Sequence, residues 1–223
     1  MYDRIIKLIG EENFNKIVNS KILLVGIGGV GSFAFEALIR SGFQNITVID
    51  KDVVEITNLN RQLVATLNTV GLPKVNVASN KAEEINEDIK ISGICKYLNK
   101  DNIVELDKDY DYIIDACDTL NTKLELIKYA QENNIKIISA MGLGNRVNAA
   151  LIKVTTLNKT SNDPLAKRLR KLVKENNLNS KVPVVCSEEL PYKKGEVNSM
   201  ITSPGVAGLL MVNYIINDII NPF

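Results

Sequence analysis

A glycine-rich turn between an apolar strand and a helix constrains the fold of this chain more than any other feature. Gly26, Gly28, Gly29 and Gly31 follow the apolar run Ile22–Val25. Glycines at these positions permit a tight turn, let backbone N–H groups approach a nucleotide and allow close packing of helix on strand. The pattern predicts a nucleotide site, and a purely structural glycine turn is the alternative.

Apolar runs alternate with helix-period segments as far as Thr156. This alternation is typical of β-α-β units and predicts an α/β, Rossmann-like doubly wound, mostly parallel sheet with a C-terminal extension. Strands are predicted at Ile22–Val25, Ile46–Ile49, Ile89–Tyr97, Tyr110–Ala116, Lys136–Ala140 and Ala149–Thr156. Helices are predicted at Val30–Arg40, Pro73–Asn86 and Thr122–Asn133.

The sequence pattern changes after Thr156. The predicted elements there are a basic amphipathic helix at Asp163–Lys174, a polar turn at Asn176–Lys181, a strand at Val182–Cys186, a loop at Pro191–Glu196 and a closing helix from about Pro204. No linker separates the two parts, so we expect residues 1–223 to form a single domain. Its nucleotide-binding core would span about residues 1–157 and its extension about 158–223.

The chain contains no histidine, which excludes Ser-His-Asp triads, His-activated cysteines and HExxH zinc sites. Its three cysteines, Cys95, Cys117 and Cys186, argue against a disulfide framework or a structural zinc site and predict a cytoplasmic location.

The formal net charge is +1, so we expect no overall electrostatic field that would attract nucleic acid nonspecifically. Polar residues interrupt the most apolar stretch, Val206–Ile220, so no membrane span is expected.

Asp50 ends the second predicted strand, where a carboxylate can accept hydrogen bonds from ribose hydroxyls. Groups suited to phosphate binding follow it. They are Asp52, Asn58, Arg61, Gln62 and Lys74. Arg61 can bind phosphate oxygens bidentately, while the two amides can donate to phosphate or ribose. The alternative for these three is a polar loop that caps the next helix.

Lys74 stands beside Pro73, the predicted first position of a helix. A cation at the positive end of a helix costs about 0.3–1 kcal/mol unless an anion compensates for it. Lys74 therefore predicts a bound triphosphate, with a solvated lysine as the alternative.

Asp118 follows the predicted strand that begins at Tyr110. A carboxylate at the carboxyl end of a parallel strand suits Mg²⁺, which takes one or two carboxylates and completes its coordination with phosphate oxygens and water. Asp118 is therefore the candidate magnesium ligand, and a helix N-cap is the alternative. Cys117 is expected to be a buried apolar side chain rather than a nucleophile.

Together these residues resemble the ATP site of the E1-like, ubiquitin-activating-type adenylyltransferase superfamily. That superfamily joins a carboxylate to AMP on a Rossmann-like domain that usually dimerises. The resemblance implies that the glycine turn and Asp50 hold the adenosine. It assigns the phosphates to Asn58, Arg61 and Lys74, and Mg²⁺ to Asp118.

The same resemblance implies that Arg61, Lys74 and Asp118 act in catalysis. It adds Arg4, which resembles the N-terminal arginine that in this superfamily reaches the triphosphate of the partner subunit. A surface arginine on a short helix is the alternative for Arg4.

The C-terminal half, in residues 159–170, 184–191 and 203–208, resembles one branch of the superfamily, the tRNA threonylcarbamoyladenosine dehydratases. Branches that activate a ubiquitin-like sulfur carrier commonly keep two Cys-x-x-Cys pairs, and this chain has none. The resemblance implies ATP-dependent dehydration of N6-threonylcarbamoyladenosine at position 37 of tRNA through an acyl-adenylate. A homodimer is implied as well, and a cysteine desulfurase system is a possible partner by analogy only.

Local charge supports a tRNA substrate. From Leu151 to Lys181, eight basic residues stand against two acidic ones. The residues predicted to contact tRNA are Lys167, Arg168, Arg170 and Lys171. Such an excess suits a phosphate backbone, although a solvated helix face would look the same.

Three other functions stay open. An adenylyltransferase for a sulfur-carrier protein would use the same ATP site. An NAD-dependent oxidoreductase would leave Arg61, Lys74 and Asp118 without a reason for their placement. A nucleotide sensor or scaffold would bind ATP without consuming it.

Overall fold

The computed structural model describes residues 1–192 and 195–221, in which seven strands form one sheet. The strands are β1 (Lys21–Val25), β2 (Asn45–Ile49), β3 (Lys90–Ile94), β4 (Tyr112–Asp115), β5 (Lys136–Ala140), β6 (Ile152–Thr156) and β7 (Pro183–Ser187). Their order is β3-β2-β1-β4-β5-β7-β6, and neighbours pair in parallel except for the antiparallel pair β6 and β7. The predicted mostly parallel α/β fold is confirmed.

Seven α-helices surround the sheet in the same described ranges. They are α1 (Asp3–Ile9), α2 (Glu11–Asn19), α3 (Gly31–Ser41), α4 (Lys74–Ile85), α5 (Leu120–Glu132), α6 (Pro164–Glu175) and α7 (Thr202–Ile220). Helix α3 ends at Gly42, whose φ of 100° is left-handed and suits a glycine C-cap. Helix α6 begins at Pro164 after the N-cap Asp163, as a proline in the first helical position favours.

The core lies on both faces of the sheet because side chains alternate along each strand. In β1, Ile22 and Leu24 join the apolar cluster beneath α3, α4 and α7, whereas Leu23 and Val25 join the cluster beneath α5 and α6. Buried strands with both faces covered explain the continuous apolar runs in the sequence.

Some predicted strand ends differ from the observed ones. The strand predicted at Ile89–Tyr97 ends at Ile94, which pairs with Ile49 at the end of β2, and beyond it Lys96 N donates back to Ile94 O at 3.1 Å. The strand predicted at Ala149–Thr156 begins only at Ile152, because Asn148 Oδ1 accepts from Ala150 N at 3.1 Å and closes a 3₁₀ turn. Lys193 and Lys194, in the loop predicted at Pro191–Glu196, lie outside the described residues.

Helix α7 is long and apolar enough to cross a membrane by length and composition alone, and half of that stretch is buried inside the fold. Ala207, Met211 and Ile215 belong to the core cluster that includes α3. Near its C-terminus, Asp218 accepts hydrogen bonds from the Tyr112 hydroxyl at 2.5 Å and from Lys136 Nζ at 2.6 Å. In this fold α7 therefore packs as a core helix.

Candidate active site

A cavity of about 1030 Å³ opens at the carboxyl ends of the central strands. The predicted nucleotide-binding residues that line it are Gly26, Gly28, Gly29, Asp50, Asp52, Asn58, Arg61, Gln62, Lys74 and Asp118. This edge is where open α/β sheets bind ligands, since loops from several strands converge there. Of the predicted nucleotide set, only Gly31 does not line the cavity.

The glycines of the turn have different roles. Gly26 has a φ of +92°, a left-handed conformation that favours glycine. A Cβ on Gly31 would lie 1.8 Å from the Gly26 carbonyl oxygen, so close packing within the turn requires glycine at this position. A Cβ on Gly28 would meet no described atom within 4 Å, which leaves the backbone there open to the cavity.

The carboxylate of Asp50 is fixed beside the glycine turn. Its Oδ2 accepts from Ile27 N at 2.6 Å, and its Oδ1 accepts from Asp52 N at 2.8 Å. A carboxylate has about four acceptor positions, so these two bonds orient it and leave capacity for ribose hydroxyls.

Lys74 is the first residue of α4, which begins one residue later than predicted because Pro73 has an extended ψ of 129°. The residue is buried, with a relative exposure of 5%, so Lys74 is not a solvated lysine. Its Nζ lies 3.2 Å from Asp52 Oδ2, and Asp52 thereby supplies an anion beside the positive end of the helix.

The loop between β2 and α4 uses its polar groups in different ways. Asn58 Oδ1 accepts from Glu55 N at 3.1 Å, so Asn58 caps its own 3₁₀ turn rather than the next helix. One Nη of Arg61 donates to Thr57 O and to Asn60 Oδ1, both at 2.9 Å. Gln62 is buried, and its Oε1 has no hydrogen-bond partner among the described residues.

Asp118 is exposed and lines the cavity. The N-cap of α5 is Thr119, so Asp118 does not serve as that cap; Thr119 Oγ1 donates to Asp118 Oδ1 at 3.3 Å. Within residues 1–192 and 195–221, no group of three or more Cys, Asp and Glu residues could hold a metal ion. A single carboxylate suits Mg²⁺ only where phosphate oxygens complete the coordination.

A buried ion pair beneath the cavity was missed by the sequence analysis. Lys123 and Asp115 are both fully buried, and Lys123 Nζ lies 3.1 Å from each carboxylate oxygen. Ser139 Oγ donates to Asp115 Oδ2 at 2.5 Å. The available signal was helical spacing, since Lys123 precedes the apolar Leu126 and Ile127 by three and four residues and so shares their inward face.

Cys117 contacts this ion pair. Its Sγ donates to Asp115 Oδ1 at 3.0 Å, and its backbone N–H donates to the same oxygen at 3.3 Å. Burial, with a further contribution from the charge of Asp115, raises the pKa of the Cys117 thiol well above its usual range. The thiolate is therefore disfavoured, in agreement with the expectation that Cys117 is not a nucleophile.

Arg4 does not reach the cavity of its own chain. It is exposed on α1, and the neighbouring Tyr2 hydroxyl donates to Ile39 O at 3.1 Å, near the C-terminal end of α3. The N-terminal end of α3, at Gly31, follows the glycine turn and lies about 12 Å from Ile39 along the helix.

The predicted tRNA-contacting residues all lie on α6. Lys167, Arg168 and Lys171 are exposed, whereas Arg170 is half-buried and donates to Thr160 O at 2.7 Å and to Thr160 Oγ1. None of the four lines the cavity, but Leu165, in the first turn of α6, does.

Comparison with known proteins identifies the family. The model described as the ThiF family matches residues 2–222. The tRNA threonylcarbamoyladenosine dehydratase of Bacillus subtilis is 34% identical over 232 residues, which cover 95% of this chain and 91% of the relative. The Escherichia coli protein of the same name is 37% identical over 199 residues, covering 85% and 74%.

A solved structure agrees with these sequence relatives. The crystal structure of E. coli tRNA N6-threonylcarbamoyladenosine dehydratase in complex with ATP matches with a TM-score of 0.92 at 33% identity, over 98% of this chain and 93% of that chain. The resemblance inferred from the ATP-site residues is confirmed, and the chain belongs to the ThiF family.

Proposed function

We propose that this chain is an ATP-dependent tRNA-modifying enzyme that dehydrates N6-threonylcarbamoyladenosine at position 37 of tRNA, in the cytoplasm. One observation carries the proposal. The cavity that gathers the glycine turn, Asp50, Arg61, Lys74 and Asp118 belongs to a chain similar over 98% of its length to a dehydratase solved with ATP.

In this proposal the backbone of the glycine turn and the Asp50 carboxylate hold the adenosine. Arg61 and Lys74 bind the triphosphate, with the amides of Asn58 and Gln62 as further donors. Both cations are already at the cavity, so ATP binding needs only local changes in which Lys74 exchanges Asp52 for a phosphate oxygen. Preorganised positive charge of this kind stabilises the charge that develops on the phosphates.

The reaction would proceed in two steps. A carboxylate oxygen of the threonyl group forms a bond with the α-phosphorus of ATP, and pyrophosphate leaves. The carbamoyl group of the same nucleoside then closes onto the acyl carbonyl and releases a proton to solvent, and AMP leaves with that carboxylate oxygen, so the nucleoside loses one water overall. The second nucleophile is tethered to the electrophile, so proximity supplies much of the acceleration and no histidine or reactive cysteine is needed.

Asp118 would hold Mg²⁺ together with phosphate oxygens. When bound, the ion neutralises charge on the phosphates and the pyrophosphate leaving group. Asp118→Asn should therefore raise the Mg²⁺ concentration at half-maximal turnover by at least about fivefold, because one charged ligand is lost. Asp101→Asn removes an exposed carboxylate outside the cavity and is the matched control. An unchanged Mg²⁺ dependence in Asp118→Asn would remove Asp118 as the ligand.

The exposed cations of α6 would bind the tRNA backbone. The double variant Lys167→Glu/Arg168→Glu should raise the Kd for tRNA at least about tenfold at moderate salt and leave ATP binding intact, because two phosphate contacts are lost. Arg170 is left in place because its guanidinium holds Thr160. Filter binding at several salt concentrations measures the effect.

Lys90 and Lys108 provide the charge-matched control for the α6 variant. Both are exposed and border an opening at the amino ends of the strands, whereas the cavity lies at the carboxyl ends. Lys90→Glu/Lys108→Glu should leave tRNA affinity unchanged. Equal losses in the two double variants would mean that overall charge, not α6, determines binding.

A homodimer completes the proposal. Because Arg4 lies away from the cavity of its own chain, its proposed contact with the triphosphate requires the cavity of a second copy.

The function is tested by measuring AMP release from ATP with tRNA that carries, or lacks, the threonylcarbamoyl group. We expect AMP only with the modified tRNA, and mass analysis should show loss of one water from the nucleoside. Pyrophosphate exchange that depends on a small protein with a Gly-Gly terminus would favour the sulfur-carrier adenylyltransferase instead. Binding of nicotinamide in the cavity would favour the oxidoreductase.

A further inference from the structure

We propose that Asp163 is a positioning residue that joins the basic helix α6 to the wall of the nucleotide cavity. Through this link, tRNA held along α6 would present its modified base to the activated phosphate in a fixed geometry. The inference rests on the proposed function and assigns a role to a side chain outside the predicted site residues.

A single carboxylate serves two elements of the fold. Asp163 is buried, with a relative exposure of 5%. Its Oδ1 accepts from Ala166 N at 3.0 Å and so caps α6, while its Oδ2 accepts from Gly142 N at 2.7 Å, just beyond β5. Ionised acceptors form the stronger hydrogen bonds, and the positive end of α6 favours the negative charge.

The contact with Gly142 is close enough to fix both partners. A Cβ on Gly142 would lie 3.1 Å from Asp163 Oδ1 and 3.3 Å from Oδ2, tighter than ordinary packing. Gly142 and Leu165 both line the cavity, so the first turn of α6 is part of its wall. A shift of Asp163 would therefore move the wall and the helix relative to each other.

The cations that would hold tRNA lie close to this wall. Lys167 and Arg168 follow Leu165 by two and three residues, or about 3 to 4.5 Å along the helix axis. The α-carbons of both residues thus lie within one helical turn of Leu165. This distance suits an unpaired nucleotide of an anticodon loop that enters the cavity while its backbone stays on α6.

The chain just before Asp163 is held as well. Asn162 has a φ of 57°, its Nδ2 donates to Glu188 O at 3.0 Å, and its carbonyl accepts from Arg146 at 2.7 Å. Arg146 is itself buried. Asp163 is therefore supported by neighbouring hydrogen bonds, as a residue that must hold a catalytic geometry requires.

Two substitutions separate the helix cap from the contact with the cavity wall. Asparagine and serine are N-caps about as good as aspartate, so Asp163→Asn and Asp163→Ser keep the bond to Ala166 N. Asparagine would place an NH₂ group against the Gly142 N–H, and serine is too short to reach it. Each variant therefore loses the wall contact and keeps the helix.

We expect kcat for dehydration of modified tRNA to fall at least about tenfold in both variants. The reason is that a shifted tRNA no longer holds its threonyl carboxylate in the reactive geometry with the α-phosphate. The Kd values for ATP and tRNA should stay at wild-type values, and the midpoint of urea unfolding should fall only as far as one lost buried hydrogen bond explains, so that both variants stay folded in the assay. A purely structural role would not lower kcat while binding stays intact. Gly142→Ala should reproduce the loss from the other side of the contact. Asn148→Ala, which removes the cap of a 3₁₀ turn outside the cavity, is the control that should retain wild-type kcat.

Wild-type kcat in Asp163→Asn and Asp163→Ser would overturn the inference. A fall in kcat matched by an equal loss of tRNA affinity, or by unfolding of the variants under assay conditions, would also overturn it, since Asp163 would then be only a structural cap. If the wild-type protein itself fails to dehydrate modified tRNA, the proposed function is wrong and this inference falls with it. The wild-type and variant reactions thus distinguish the two failures.

Discussion

Replacing Lys74 by alanine should lower kcat for ATP-dependent dehydration by about 100-fold, which corresponds to about 2.7 kcal/mol of transition-state stabilisation. Lys74 begins α4, is buried at the cavity and has its Nζ 3.2 Å from Asp52. A cation shielded from water interacts more strongly with the charge that builds as pyrophosphate leaves than an exposed one does. AMP release with saturating modified tRNA measures the effect.

Lys81 offers a matched control on the same helix. Its Nζ pairs with Glu36 Oε2 at 2.7 Å, and it does not line the cavity. Lys81→Ala should keep kcat within about twofold of wild type, as expected for a substitution away from the site. Wild-type kcat in Lys74→Ala, or equal losses in both variants, would remove Lys74 from the phosphate-binding set.

The placement of the proposed nucleotide-binding residues around one cavity could be predicted from sequence because each part is recognisable locally. The glycine turn lies between an apolar strand and a helix, Asp50 directly follows the next strand, and Lys74 begins a helix. Parallel strands bring their carboxyl ends to one edge, so residues that follow different strands meet without any long-range contact being known. The geometry of a parallel sheet therefore predicts that residues recognised separately in the sequence lie together at one edge.

Contacts that depend on how the extension packs could not be predicted in this way. In the sequence Asp163 is only the first residue of the predicted helix Asp163–Lys174. Its bond to Gly142 exists because α6 is docked beside the loop after β5. Likewise, the sequence shows Arg170 only as one more cation of a basic helix. Its hydrogen bond to Thr160 depends on the path of the loop that precedes the helix. Helix periodicity predicts which face of a helix is buried but not which residues that face contacts.

Lys123→Met should lower the free energy of unfolding by about 3–5 kcal/mol. Lys123 and Asp115 are fully buried 3.1 Å apart, and removal of the cation leaves a carboxylate in the interior with only hydrogen bonds from Ser139 and Cys117. Burying an unpaired charge is far more costly than burying a paired one, and methionine fills the volume of the lysine stem without replacing the charge. Urea denaturation followed by two independent probes measures the loss.

The double variant Lys123→Met/Asp115→Asn identifies the cause of that loss. It removes both charges with little change in shape, so it should recover at least about half of the stability lost in Lys123→Met, because the unpaired charge is gone. A loss below about 1 kcal/mol in Lys123→Met, or no recovery in the double variant, would show that charge pairing does not stabilise this core. Asp115 also accepts from Cys117 N, one residue before Asp118, so an altered pair should weaken the proposed magnesium ligand together with the fold.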